Sequence, residues 1–91
     1  VYAQQKNEGG KLMKQTVTMP KINPKNDEVI FGIWTKNIGD SIAAGEVLFE
    51  VETDKVVSEV ESNFNGVLVE TLVKENDTVQ TGEAIAIIDI L

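Results

Sequence analysis

Ninety-one residues with 42% hydrophobic side chains suit one small globular domain. The chain has 15 acidic against 8 basic residues, a formal net charge of −7, and no cysteine or histidine. That composition excludes disulfides, thiolate and imidazole chemistry and the commonest zinc ligands, and it provides no basic patch for nucleic acid or an anionic membrane.

In chain order, residues 1–12 are polar, contain Gly9-Gly10 and show no periodicity. The expected organisation is a disordered tail, linker or expression remnant over 1–13, with Met13 a conceivable native start, and a domain over 14–91. The first ten residues lack the apolar core of a secretory signal. The longest apolar run, 84–88, is too short to span a bilayer.

From Gln15 onward the pattern is β. Val17 and Met19 alternate with Thr16 and Thr18, and 29–34 is a β-branched and aromatic run. Phe49, Val51 and Thr53 alternate with Glu50, Glu52 and Asp54, and 67–73 and 84–88 complete the set. Turn residues fall between at Gly39-Asp40, Gly45, Asn65-Gly66, Asn76-Asp77 and Gly82, while Pro20 and Pro24 bracket one loop over 21–27. No window carries a helical stripe. The spacing predicts an all-β fold, a flattened barrel or sandwich of two antiparallel sheets.

An internal repeat supports two similar halves. Residues 38–48 line up with 75–85 at an offset of about 37, with Asp40/Asp77, Gly45/Gly82 and Glu46/Glu83 identical. Asn76 faces Gly39, and asparagine is the non-glycine residue that best tolerates positive φ. The repeat predicts an approximate two-fold axis. Its offset places the equivalent of Lys55 near Thr18 on one side and just past Leu91 on the other. The turn at Lys55 therefore joins the halves, far from where the chain enters and leaves.

Taking Asp54-Lys55 as a two-residue loop pairs Thr53 with Val56, Glu52 with Val57, Val51 with Ser58, Glu50 with Glu59 and Phe49 with Val60. Phe49, Val51, Thr53, Val56, Ser58 and Val60 then face inward, and a slip of one residue would bury glutamates. Asp-Lys is poor hairpin chemistry, because tight turns favour glycine or asparagine. Such a tip is chosen for the side chain it displays, although a solvated surface lysine remains the plain alternative.

Glu52-Thr53-Asp54-Lys55-Val56 resembles the lipoylation motif of the acyltransferase (E2) components of 2-oxo acid dehydrogenase complexes. The resemblance runs from Met19-Pro20 to Asp89. Glu28, Trp34, Gly39-Asp40, Gly45 and Gly66 fall at family positions, whereas Val29 and Asn76 stand where the family usually has glycine. It implies a lipoyl domain of the lipoyl/biotinyl hairpin fold, with lipoic acid in amide linkage to Lys55 and Glu52, Thr53, Asp54 and Val56 flanking it. The domain would be an acyl carrier, not itself an enzyme. Its parent chain would be a dihydrolipoamide acyltransferase, a transferase.

The implied partners are a lipoate ligase or octanoyl transferase, a thiamin-diphosphate-dependent E1, the E2 catalytic core, and E3, the flavin-dependent dihydrolipoamide dehydrogenase. The isolated domain is expected to be a monomer, in bacterial cytoplasm or, in a eukaryote, the mitochondrial matrix. Glu50, Glu52, Asp54, Glu59 and Glu61 would favour the charged form of a nearby lysine, so activation belongs to the attaching enzyme. Those carboxylates read as a recognition rim or a solubilising one, and they show no hard-cation loop spacing. The resemblance also gives the 22–27 loop a part in recognition by E1. Trp34 reads as strand packing.

Two other readings share the fold. A biotin carrier domain typically has methionine on each side of its lysine, where this chain has Asp54 and Val56. An unmodified lipoyl-like module of an adaptor protein would use no lysine at all.

Overall fold

The computed structural model describes residues 13–54 and 56–90. They form β1 (Met13–Thr18), β2 (Glu28–Trp34), β3 (Ser41–Ile42), β4 (Val47–Thr53), β5 (Val56–Glu61), β6 (Gly66–Thr71), β7 (Thr78–Gln80) and β8 (Ala84–Ile90). The strands make two four-stranded sheets, β1-β8-β6-β3 and β5-β4-β2-β7, with every pairing antiparallel. The described residues contain no helix. The all-β sandwich expected from the alternation is what the chain adopts.

The core draws on both sheets. Phe31, Phe49 and Val51 from one and Leu68, Ile85 and Ile88 from the other are fully buried. Alternation sets which side chains enter: in β1 half-buried and exposed residues follow one another without a break. Phe31, Trp34 and Phe49 form an aromatic cluster with ring centroids 4.8 to 5.5 Å apart. The Trp34 indole Nε1 donates to the Val73 carbonyl at 3.1 Å. The tryptophan is packed, as expected, and its one polar atom is satisfied.

The repeat is carried by the hydrogen bonds themselves. Phe31 N donates to Asp77 O, and in the other half Leu68 N donates to Asp40 O. Asn76 N donates to Phe31 O, while Gly39 N donates to Leu68 O. Side chains follow the same rule: Asp40 Oδ2 accepts from Asn37 N as Asp77 Oδ2 does from Lys74 N. Gly39 and Asn76 both lie in the left-handed region, at φ 99° and 71°. The asparagine is an adequate substitute there because its short polar side chain lessens the steric penalty.

Two features differ from the sequence expectation. Strands β3 and β7 are only two and three residues long, each with one buried side chain, Ile42 or Val79, too little to register as alternation. The offset of the repeat also changes at the first long loop. Val17 pairs with Ala86 as Val60 pairs with Phe49, and Met19 N donates to Glu83 O as Ser62 N donates to Glu46 O. Val17 thus matches Val60, and Thr18 matches Glu61 rather than lying near the equivalent of Lys55. The loop between β1 and β2 is longer than the one between β5 and β6, which shifts the register of everything before it. The pair Met13↔Ile90 is consequently the counterpart of Thr53↔Val56.

Gly66 is the counterpart of Val29. Val29 is buried opposite Val79, so the departure from glycine there adds a core side chain. At Gly66 a Cβ would collide with the Asp89 carbonyl oxygen and come within 2.8 Å of Ile88 Cγ2. Gly66→Ala should therefore lower stability by about 1–3 kcal/mol, read from the urea midpoint. A midpoint within error of wild type would deny the close approach.

Glu46 offers a check on pH. The Ala43 N–H and then Lys36 hold its carboxyl below the ordinary 4.5. A carboxylate depressed on folding stabilises above its unfolded pKa, and that stability fades as pH falls through the lower folded value. Glu46→Gln should flatten the acid-side loss of stability below about pH 4.5. An unchanged urea-midpoint profile would remove this contact from the account.

Candidate functional site

The β4–β5 hairpin forms in the register expected from the sequence. Thr53↔Val56, Glu52↔Val57, Val51↔Ser58, Glu50↔Glu59 and Phe49↔Val60 are all paired. Thr53 and Val56 close the ladder, and Asp54 begins the turn at φ 48°. Positive φ in a non-glycine residue is a local steric cost, tolerated best by aspartate and asparagine. Lys55 itself lies outside the described residues, as do 1–12 and 91.

The flanking residues face solvent more than alternation implies. Glu52 and Asp54 are exposed and Thr53 is half-buried. Val56, expected to point inward, is 58% exposed, so that part of the pattern is corrected. The last core side chain of β4 is Val51; beyond it the hairpin extends past the core. The tip therefore projects.

The loop over 20–27 reaches this projecting turn. Asn23 Nδ2 donates to Asp54 Oδ2 at 3.3 Å. Within the loop, Lys25 N donates to Asn23 Oδ1 and Glu28 N to Asn26 Oδ1, two Asx turns that preset its shape. Lys21 closes it against Asp27 at 2.6 Å, a contact that lowers the Asp27 carboxyl below its usual 3.8. The sequence singled out this loop but not the Asn23–Asp54 contact; Asn23 and Asn26 on either side of Pro24 were the available signal.

The hairpin tip and the first and last described residues belong to different sheets. Met13 pairs with Ile90 in the β1-β8-β6-β3 sheet, and Thr53 with Val56 in the other. From Met13 the chain runs the length of β1 before entering the loop that contacts Asp54. Among the described residues no cluster of acidic side chains could hold a metal ion.

Comparison with known proteins agrees with this fold. A family model described as "Biotin-requiring enzyme", of the biotin/lipoyl type, matches residues 15–88. A succinyltransferase component of the 2-oxoglutarate dehydrogenase complex from Staphylococcus saprophyticus is 44% identical over 72 residues, covering 79% of this chain and 17% of the relative. An acetyltransferase component of the pyruvate dehydrogenase complex from Corynebacterium glutamicum is 41% identical over 76 residues, covering 84% and 11%. Both are named as dihydrolipoyllysine-residue transferases. The chain thus spans less than a fifth of the length of these relatives. The solution structure of the lipoyl domain of the Azotobacter vinelandii 2-oxoglutarate dehydrogenase complex matches with a TM-score of 0.63 at 31% identity, covering 78% of this chain and 90% of that one. The chain belongs to the biotin/lipoyl attachment family, as a lipoyl-type domain related to the E2 components of 2-oxo acid dehydrogenase complexes.

Proposed function

We propose that this domain is an acyl carrier, with lipoic acid in amide linkage to Lys55, within an E2 dihydrolipoamide acyltransferase. The observation that carries the reading is the projecting hairpin, whose closing pair Thr53↔Val56 leaves a two-residue turn with Asp54 and Val56 both exposed. A linear attached group suits such a turn, because neither flank walls it in. When bound, lipoate supplies a disulfide that takes up electrons and an acyl group.

The chain's own residues do the rest. Asp54 and the Asn23 contact set the shape of the turn. A ligase or octanoyl transferase activates the acyl donor, rather than the domain activating the amine. A tip in the sheet opposite the chain ends lets the arm sample successive partners at high effective concentration. Those partners are E1, the E2 core and E3, in bacterial cytoplasm or a mitochondrial matrix. The names of the relatives favour lipoate over biotin, as does the absence of methionine beside Lys55.

Lys55→Ala should fold as wild type and lose lipoate incorporation entirely, read by intact mass after incubation with lipoate ligase. Uptake by the variant would place the attachment elsewhere. A biotinyl increment on the wild type with biotin ligase, and no lipoyl increment, would replace lipoate with biotin. The lipoylated domain should also be acylated by E1 with its 2-oxo acid, whereas the Lys55→Ala protein should show no acylation.

A further inference from the structure

A groove of about 280 Å³ opens beside the lysine hairpin, where the β2–β4 ladder is irregular between Phe31 and Trp34. Gly32, Ile33, Glu50, Glu52, Val57 and Glu75 line it. Ile33 is 42% and Val57 55% exposed, so apolar surface lies open among three carboxylates. The groove sits one rung behind the tip, since Glu52 pairs with Val57 next to Thr53 with Val56.

The two-fold repeat provides an internal control for this surface. Val57 corresponds to Lys14 and Glu52 to Asp89, because Lys14 pairs with Asp89 as Val57 pairs with Glu52. In the half that holds the chain ends, Lys14 Nζ lies 2.9 Å from Asp89 Oδ1. In the lysine half a valine replaces that cation, and among the described residues no basic side chain makes a salt bridge to Glu50, Glu52 or Glu75. Glu50 and Glu75 stand where the other half has Ile87 and Ile38.

Gly32 corresponds to Val69, whose side chain is half-buried. The other half also keeps the pair Glu70↔Ile87, while its counterpart, Ile33 with Glu50, is not formed. At these positions the end-bearing half carries Val69 and the Lys14–Asp89 ion pair, where the hairpin half has Gly32 and the pair Val57–Glu52.

We propose that this groove receives an arginine side chain from E1. Its aliphatic stem would lie on Ile33 and Val57, and its planar fork can meet two carboxylates at once, which an ammonium cannot. An exposed ion pair alone would contribute little, so the apolar contact is part of the argument. Assigning the arginine to E1 rests on the carrier reading above. The relatives share the dihydrolipoyllysine residue and differ in the 2-oxo acid complex, so partner selection matters to E1 more than to the attaching enzyme.

The test uses Val57→Lys, which gives the groove the cation its counterpart already has. First, the unlipoylated domain is titrated with N-acetyl-Ala-Arg-Ala-amide and followed by amide NMR. Saturable shifts at Gly32, Ile33, Val57 and Asn76 are expected, with none from the norleucine peptide and none in Val57→Lys. Diffuse shifts over all acidic residues, or an unchanged response in the variant, would overturn the groove. Second, with lipoylated protein, kcat/KM for acylation by E1 should fall about tenfold more than the rate of lipoate incorporation, through KM. Equal losses, or a loss confined to the ligase, would overturn the assignment to E1. If the wild type takes up no lipoate, the carrier reading fails while the peptide titration still decides the groove. Glu50→Gln with Glu52→Gln replaces Val57→Lys should that variant not fold, with the same outcomes read.

Discussion

Each half of this chain is completed by the other through exchanged backbone hydrogen bonds. The short strand β3 pairs with β6, and β7 pairs with β2, so the turn of each repeat is anchored on the long strand of its counterpart. Phe31 and Leu68 hold the exchange on both their N–H and C=O groups, and both are fully buried. Buried backbone groups must be paired, so neither half can leave without exposing or orphaning those groups. The rest of the architecture follows from that interlock. It fixes β4 beside β2, and hence the direction in which the β4–β5 hairpin projects.

Near-symmetry then makes differences between the halves informative. Positions that carry the fold are alike: Asp40 and Asp77 cap equivalent turns, and Glu46 and Glu83 accept from equivalent backbone N–H groups. Positions around the tip are not alike. Where the end-bearing half has isoleucine and a lysine–aspartate pair, the hairpin half has glutamates and exposed valine.

Much of this was legible in the residues. The hairpin register was specified because any slip would bury glutamates, and all five pairs formed as read. The turns at Gly39, Gly45, Asn76 and Gly82 follow from the residues that tolerate positive φ. What escaped the sequence depends on three-dimensional neighbours. β3 and β7 are too short to show a period, and their strand character comes from partners distant in the chain. Val56 alternates correctly, yet faces water because the core ends at Val51. The matching of Val57 with Lys14 was hidden by the extra length of the first long loop.

The Met13↔Ile90 pair has a mechanical meaning. Tension applied along the polypeptide at these two adjacent residues loads the end of one antiparallel ladder, whose bonds lie across the strands. Such loading opens rungs in succession, as a zipper does, rather than shearing them together. Strain applied at Met13 and Ile90 is thus taken up first between β1 and β8, strands that do not belong to the sheet bearing the hairpin.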